Sequence, residues 1–335
     1  MQPIATVVVT GPMIAADAQA LLRDHSIDCV PMEPAAVERD LATVVAGRRP
    51  QGLIVRYGTV DARVMDAAPQ LQVIANHGAG YDNIDVAAAT ARGLPVLVAR
   101  AANAVSVAEM AVSLMLALLK QLRPFDDAVK AGRWRPAGVV PVELAGRRVG
   151  LVGMGATGRA TAALLRAFRA DLAAYDPQVT AGPAEPLARP FDRLDDLLAW
   201  ADIVTLHLPL TDATRGLFNR ARLRAMKQGA ILVNCARGQI VDEAALAEAL
   251  QDGHLAGAAV DTFAVEPCGT GLALLRAPNL IATPHVAGVT QEAFRRMGMM
   301  AAQNILSILR RTPLARENLV NPAVLDHPKL KAAPR

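Results

Sequence analysis

Three charged side chains in the second half of the chain, Arg237, Glu266 and His285, each come just after a predicted strand. Histidine, with a reference pKa of about 6.5, can exchange a proton near neutrality, and a carboxylate at its other ring nitrogen fixes the tautomer and stabilises the imidazolium. An arginine can bind a carboxylate and polarise the carbonyl beside it. Because the carboxyl ends of parallel strands border one crevice, we expect the three side chains to converge there. Taken singly, they could be an exposed turn residue, a Glu-Pro corner and a core histidine.

A glycine-rich turn precedes these residues in "RVGLVGMGATGRATAALLRAF" (148–168). Gly153, Gly155 and Gly158 follow a predicted strand and open a predicted helix, the context in which such a motif binds a dinucleotide. The glycines permit a tight turn, a close approach to a pyrophosphate and helix–strand packing, and the helix amides face the phosphates. Asp176 ends the next strand, where a carboxylate can bind the ribose hydroxyls and repel a 2′-phosphate. The motif therefore predicts NAD and not NADP; the alternative is a structural turn with Asp176 starting an Asp-Pro corner.

Runs of β-branched residues alternate with helical patterns along most of the chain, which is typical of parallel sheets covered by helices. The predicted strands are 6–10, 52–56, 71–75, 94–99, 148–153, 171–176, 202–209, 229–234, 257–261 and 279–284. The predicted helices include 15–24, 36–46, 84–92, 103–123 and 291–311. Two such arrays, joined by a Gly/Pro-rich connector at 132–148, predict two α/β domains.

The helix predicted over 103–123 is strongly apolar. Ser106 and Glu109 near its start have the spacing of a capping box, in which each side chain satisfies the other residue's backbone amide. So much apolar surface favours burial between domains or against another subunit. The apolar run within it is too short to cross a bilayer.

The composition narrows the class of protein. The chain has 335 residues, 53% of them apolar and only 3% aromatic, and a net charge of +4. It shows no basic stripe interleaved with aromatics, so we expect no nucleic-acid partner. Its three cysteines form no paired framework, which favours a cytoplasmic setting and no metal site. The first residues lack the pattern of a signal peptide, and we expect a soluble protein without a membrane partner.

Several motifs together resemble the D-isomer-specific 2-hydroxyacid dehydrogenases. They are "HGAGYDNID" (77–85), "NAVSVAE" (103–109), "GMGATGR", "LHLPLT", "NCARGQIVDEAAL", "AVDTFAVEP" and "TPHVAG". The resemblance implies two Rossmann-like, doubly wound parallel-sheet domains, with an NAD domain at 101–289 inserted into a discontinuous flavodoxin-like substrate domain at 1–100 and 290–335. It also implies a homodimer. The C-terminal regulatory module of some phosphoglycerate dehydrogenases is not expected.

The resemblance assigns roles to individual residues. Arg237 corresponds to the carboxylate-binding arginine, His285 to the acid/base and Glu266 to its partner. The implied cofactor contacts are Gly153, Gly155, Ala156, Thr157, Gly158, Asp176, Thr211, Cys235, Asp261, Gly288 and Ser106. The substrate candidates are the loop amides of Ala79 and Gly80, with Arg56 and His77 beside them. Thr157 replaces the aliphatic residue usual before the third glycine.

These observations predict reversible, NAD-dependent hydride transfer between a small 2-oxo acid and its D-2-hydroxy acid. A formate dehydrogenase and an NAD-sensing scaffold like the corepressors of this fold remain alternatives. The sequence identifies neither the substrate nor the physiological direction. It also leaves open whether His77 touches substrate and whether His207 lines the cofactor cleft or is structural.

Overall fold

The computed structural model describes residues 4–178 and 187–331 of the chain. It divides into two compact units, one formed by Met1–Asn103 with Val289–Arg335 and the other by Ala104–Gly288. Strands and helices are numbered below in chain order.

The first unit is built on a five-stranded parallel sheet. Its strands are β1 (Ala5–Thr10), β2 (Ile27–Pro31), β3 (Gly52–Val55), β4 (Val73–Asn76) and β5 (Val96–Val98). Its helices are α1 (Ala16–Asp24), α2 (Pro34–Arg48), α3 (Ala62–Asp66), α4 (Val86–Ala91), α11 (Gln291–Leu309) and α12 (Pro328–Lys331). The strand order β2-β1-β3-β4-β5 is the flavodoxin-like order. Val7, Val8 and Val9 of β1 are all fully buried, as expected of a parallel strand covered on both faces.

The second unit is built on a seven-stranded parallel sheet. Its strands are β6 (Arg148–Val152), β7 (Asp171–Tyr175), β8 (Arg189–Pro190), β9 (Ile203–Leu206), β10 (Ala230–Asn234), β11 (Leu255–Val260) and β12 (Leu280–Ala282). Its helices are α5 (Ala104–Leu119), α6 (Leu122–Lys130), α7 (Ala156–Ala167), α8 (Leu194–Trp200), α9 (Arg220–Ala225) and α10 (Glu243–Gln251). In the order β12-β11-β10-β9-β6-β7-β8, the chain reverses direction across the sheet at β6, as in a Rossmann fold. The predicted fold class is therefore confirmed.

All the predicted strands are present, but two short strands were not predicted. β2 has only one fully buried residue, Ile27, so its sequence carries no long apolar run. β8 has only two residues and lies at the sheet edge, where little burial is needed. Periodicity of apolar residues detects buried strands and misses exposed edge strands.

The predicted capping box is wrong. Helix α5 begins at Ala104, so Ser106 lies inside its first turn and is 5% exposed. Asn103, another residue type that commonly caps helices, directly precedes the helix.

Among residues 4–178 and 187–331, no single helix is long and apolar enough to cross a membrane. Helices α5 and α6 meet at 60° and pass that test of length and composition only as a bent pair.

Candidate active site

The charged candidates of the second unit follow three adjacent strands of its sheet. β10 pairs with β11 and β11 with β12, all parallel, so the loops that follow them leave the same edge. Arg237 lies in the loop after β10, Glu266 in the loop after β11 and His285 in the loop after β12. Sheet geometry alone therefore brings these loops together.

Glu266 and His285 are directly hydrogen-bonded. The Nδ1 atom of His285 lies 2.7 Å from Oε2 of Glu266, while the backbone amide of Phe263 donates to Oε1 at 2.8 Å. Burial would raise the pKa of Glu266, but the hydrogen bonds from His285 and Phe263 and the positive charges of His285 and Arg237 outweigh it, so the pKa is lowered. An ionised carboxylate only accepts, so Nδ1 carries the proton and donates it. Nε2 is then the nitrogen that can face a substrate, and the ring is 48% exposed.

Asp261 holds the backbone on which His285 sits. Its fully buried carboxylate accepts hydrogen bonds from Thr283 Oγ1 at 2.6 Å, Val286 N at 2.9 Å and Ala287 N at 2.8 Å. His285 also donates its amide to the Asp261 carbonyl at 2.7 Å. These contacts maintain a left-handed φ of 54° at His285, a conformation that costs a non-glycine residue about 1–2 kcal/mol. In this structure the Asp261 carboxylate therefore holds the loop that carries His285 in place.

Arg237 lies close enough to Glu266 for its charge to lower the pKa of that carboxyl. Its Nη1 donates to the Ala236 carbonyl at 2.7 Å, and the Arg237 carbonyl accepts from Asn234 Nδ2 at 3.0 Å. The loop after β10 is thus tied to the end of its own strand, with the guanidinium near enough to Glu266 for its charge to act on that carboxyl.

The glycine turn has the form that a dinucleotide requires. A Cβ on Gly153 would lie 2.5 Å from the His207 carbonyl oxygen, and one on Gly158 would lie 2.1 Å from the Gly153 oxygen, so neither position admits a side chain. A Cβ on Gly155 would meet nothing within 4 Å, so this backbone faces open space. Helix α7 starts directly after Gly155, and the first amides of a helix have no acceptor within it. These residues fit a pyrophosphate.

Asp176 supports the same turn. Its Oδ2 accepts the Met154 amide at 2.8 Å, and its Oδ1 accepts the Gln178 amide at 2.9 Å. The carboxylate therefore holds the glycine turn from the end of β7, the edge at which a bound adenosine ribose lies in a Rossmann fold.

The other predicted cofactor residues of this unit differ in their exposure and in their contacts. Thr211 is exposed, and both its amide and its hydroxyl bond to Thr214, at 2.8 and 3.1 Å. Cys235 lies directly after β10 and is buried. Burial and the negative charge of Asp261 raise the pKa of its thiol to about 12. Gly288 is the last residue of the unit.

His207 lies behind the glycine turn. Its Nε2 is 3.1 Å from Thr205 Oγ1, and its Nδ1 is buried without a hydrogen-bond partner among the described residues. Burial lowers the pKa of His207 to about 4, so the ring is neutral at physiological pH.

The substrate candidates of the first unit lie at the carboxyl edge of its own sheet. Arg56 follows β3; its guanidinium bonds to the Pro12 carbonyl and lies 5.1 Å from the ring centroid of Phe294. His77 follows β4, and its ring packs at a tilt of 54° against the same ring, with the centroids 5.2 Å apart. Burial, followed by the charge of Arg56, lowers the pKa of His77 to about 4, and its Nε2 has no partner among the described residues.

The loop that follows His77 contains Ala79 and Gly80. The Gly80 carbonyl accepts from the Asn76 side chain, and the Gly78 carbonyl accepts the Ala99 amide at 2.8 Å. These bonds hold the loop carbonyls against the sheet.

The sequence did not reveal two features of these sites. Gln239 and Glu243 both bond to the backbone of Ala264, and the Phe294 ring packs against both Arg56 and His77. No group of three or more His, Cys, Asp or Glu side chains suited to a metal ion occurs within the described ranges.

Comparison with known proteins shows the family to which the fold belongs. Residues 112–287 match the model of the D-isomer specific 2-hydroxyacid dehydrogenase, NAD binding domain. A D-3-phosphoglycerate dehydrogenase of Archaeoglobus fulgidus is 40% identical over 81% of this chain, which spans 51% of that relative. A glyoxylate reductase of Thermofilum pendens is 38% identical, covering 82% of this chain and 80% of the relative. The crystal structure of the TT0316 protein of Thermus thermophilus superposes with a TM-score of 0.83 at 35% identity, covering 94% of this chain and 99% of the other.

The chain belongs to the D-isomer specific 2-hydroxyacid dehydrogenase family, and its second unit contains the family's NAD-binding domain. It spans about half the length of the phosphoglycerate dehydrogenase that it matches.

Proposed function

We propose that this protein catalyses reversible, NAD-dependent hydride transfer between a small 2-oxo acid and the corresponding D-2-hydroxy acid. The observation that carries the proposal is the hydrogen bond of 2.7 Å between Glu266 and His285 beside Arg237, in the unit that contains the NAD-binding domain. Bound NADH supplies the hydride for the carbonyl carbon. The protein must then bind the acid and protonate the carbonyl oxygen.

His285 has the features of that proton donor. Its Nδ1–H is committed to Glu266, so the proton that goes to the substrate oxygen is held at Nε2. The ionised Glu266 stabilises the imidazolium before transfer and keeps the ring in one orientation afterwards. In the reverse direction the neutral Nε2 accepts the hydroxyl proton. Arg237 binds the substrate carboxylate and polarises the adjacent carbonyl.

The five-stranded unit supplies the remaining substrate contacts in this proposal. The amides of Ala79 and Gly80 bind the substrate carboxylate, and Arg56 and His77 border the rest of the acid. A neutral His77 donates or accepts one hydrogen bond without adding charge. We assign substrate binding to the unit at 1–100 and 290–335, cofactor binding to 101–289, and a homodimeric assembly.

We further propose that the cofactor is NAD and not NADP. Asp176 lies at the end of β7 and its ionised carboxylate would repel a 2′-phosphate. Because Asp176 also accepts the Met154 amide, Asp176→Asn is the appropriate variant. The amide oxygen can still accept that bond, while the charge is lost.

The test is the steady-state oxidation of NADH and NADPH with a panel of 2-oxo acids, scored by kcat/KM. The proposal predicts turnover with at least one 2-oxo acid, a preference for NADH, and a smaller preference in Asp176→Asn. Tight NADH binding without turnover on any 2-oxo acid would indicate an NAD sensor. Reduction of NAD by formate alone would indicate a formate dehydrogenase.

A further inference from the structure

Two side chains outside the proposed acid/base pair form hydrogen bonds with the loop after β11, which carries Glu266. Gln239 Nε2 donates to the Ala264 carbonyl at 2.8 Å, and Glu243 Oε1 accepts the Ala264 amide at 2.7 Å. Both polar groups of one residue's backbone are therefore held by side chains from the segment after β10. We call Gln239 and Glu243 the Ala264 clamp.

The backbones beneath the clamp are in close contact. A Cβ on Gly238 would lie 1.9 Å from the Phe263 carbonyl carbon and 2.3 Å from the Ala264 amide nitrogen. Only a glycine allows the segment after β10 to lie directly against the loop after β11 at this point. The clamp therefore joins two backbone segments that are already in close contact, which leaves the loop after β11 little freedom to move relative to the segment after β10.

The segment that forms the clamp also carries Arg237. Gly238–Ile240 forms a 3-10 turn directly after Arg237, and Glu243 is the first residue of α10. Asp242 caps α10 by accepting from the amides of Ala244 and Ala245 at 3.1 and 3.0 Å, which fixes where that helix begins. Glu243 therefore reaches Ala264 from the capped first turn of α10.

The gripped loop carries Glu266 two residues beyond Ala264. Glu266 in turn contacts the Phe263 amide at 2.8 Å and His285 Nδ1 at 2.7 Å. Hydrogen bonds and the short backbone segment from Phe263 to Glu266 thus connect the Arg237 segment to His285.

We propose that Gln239 and Glu243 are positioning residues for the dehydrogenase reaction, which fix Glu266 and through it the tautomer and orientation of His285. This inference rests on the function proposed above. Displacements of less than 1 Å at acid/base groups reduce rates substantially, because proton transfer needs close alignment. Neither clamp residue needs to touch substrate or cofactor for this role.

The test compares Glu243→Ala, Glu243→Gln and a control in the same helix, Glu248→Ala. Glu243→Ala removes the acceptor of the Ala264 amide, whereas Glu243→Gln keeps an acceptor oxygen. Glu248 forms a surface ion pair with Arg220, and its removal leaves the clamp intact. We expect kcat to fall about tenfold in Glu243→Ala, with NADH affinity unchanged, and to stay within about twofold of the parent in the other two.

A double-mutant cycle separates positioning from a general loss of stability. In a Glu266→Gln background, Glu243→Ala should lower kcat by less than about threefold, because the residue through which it acts is already altered. An equal loss in both backgrounds, or a parental kcat in Glu243→Ala, would overturn the proposal. Gln239→Leu, which removes only the other half of the clamp, provides the same comparison if Glu243→Ala fails to fold.

An activity-independent readout is the tautomer of His285, measured from its two ring ¹⁵N shifts in the NAD-bound protein and assigned with His285→Asn. The parent should show the proton on Nδ1, and Glu243→Ala should shift the population toward Nε2–H. If neither Glu243→Ala nor Gln239→Leu changes the tautomer population of His285, the proposed positioning role of the clamp is wrong. If the parent turns over no 2-oxo acid, the proposed function fails, and that result is distinct from any result on the tautomer.

Discussion

In the seven-stranded unit, the candidate site loops are joined by hydrogen bonds between side chains and backbone, whereas in the five-stranded unit such bonds are combined with packing of Arg56 and His77 against the ring of Phe294. Asp261 and Glu266 each accept more than one such bond. Around Phe294, by contrast, the Arg56 guanidinium and the tilted imidazole of His77 pack against one ring, and a buried nitrogen of His77 has no partner within the described residues.

The difference has a physical meaning. Charge-assisted hydrogen bonds fix distances and directions, which proton transfer requires. The Phe294 cluster offers mainly packing surface, together with one unpartnered nitrogen of His77 among the described residues. In the function proposed above, the seven-stranded unit therefore supplies the acid/base pair, and the five-stranded unit supplies Arg56 and His77 to border the substrate.

The largest expected effect comes from His285→Ala. Removing the proposed proton donor should lower kcat about a thousandfold, within the range usual for a general acid or base. The NADH dissociation constant, measured by fluorescence titration, should change less than about twofold. His254→Ala, which removes a histidine bonded to Gln228, is the matched control and should keep parental kcat. A normal kcat in His285→Ala would contradict the role of the imidazole.

Arg237→Lys should lower kcat/KM about a hundredfold. Lysine keeps the charge but loses the planar fork that binds a carboxylate through two hydrogen bonds. Arg220→Lys, at the surface ion pair with Glu248, should have almost no effect. If Arg237→Lys behaves like Arg220→Lys, the carboxylate is bound elsewhere.

Each unit contains one histidine with a strongly lowered pKa, His77 in the five-stranded unit and His207 in the seven-stranded unit. Burial is the main cause in both, and both folded pKa values are about 4 against about 6.5 in the unfolded chain. Between these pH values the unfolded chain binds more protons, so stability is lost as pH falls from 6.5 toward 4. The loss should reach about 3 kcal/mol per histidine.

Urea unfolding at pH 7 and pH 5 measures this loss. The free energy of unfolding should be lower at pH 5, and His207→Gln or His77→Gln should each reduce the difference. Glu266 has a lowered pKa and loses its contribution only at more acidic pH, so this window isolates the histidines. Equal stability of the parent at both pH values would show that neither histidine is kept neutral by the fold.

The smallest expected effect is that of His77→Phe on substrate preference. Phenylalanine can keep the stacking on Phe294 but removes the hydrogen-bonding nitrogens. The ratio of kcat/KM between a 2-oxo acid with a polar side chain and one with an apolar side chain should fall up to about tenfold. NADH affinity should not change. An unchanged ratio would remove His77 from the substrate site.

The sequence predicted the features that depend on local pattern. The buried strands, the glycine turn and the positions of Arg237, Glu266 and His285 after strands can all be identified without a structure, because each is encoded within a short segment. The Ala264 clamp could not be predicted, since Glu243 bonds to the backbone of a residue whose side chain carries no signal.

Other features depend on contacts distant in the sequence. Phe294 meets His77 only after the chain returns to the first unit through α11. The edge strand β8 has no buried face and so leaves no apolar pattern. The predicted helix 103–123 begins within one residue of α5, but the capping box was assigned to Ser106 although Asn103, another residue type that favours caps, lies close to it, and sequence alone does not decide between them.

The most direct test of the account is a crystal structure of the protein with NADH and oxamate, an unreactive analogue of a 2-oxo acid. The account predicts His285 Nε2 about 2.6–3.2 Å from the analogue's carbonyl oxygen, Nδ1 still on Glu266, and the Arg237 guanidinium on the carboxylate. An imidazole turned away from the bound analogue, with another side chain at the carbonyl oxygen, would contradict it.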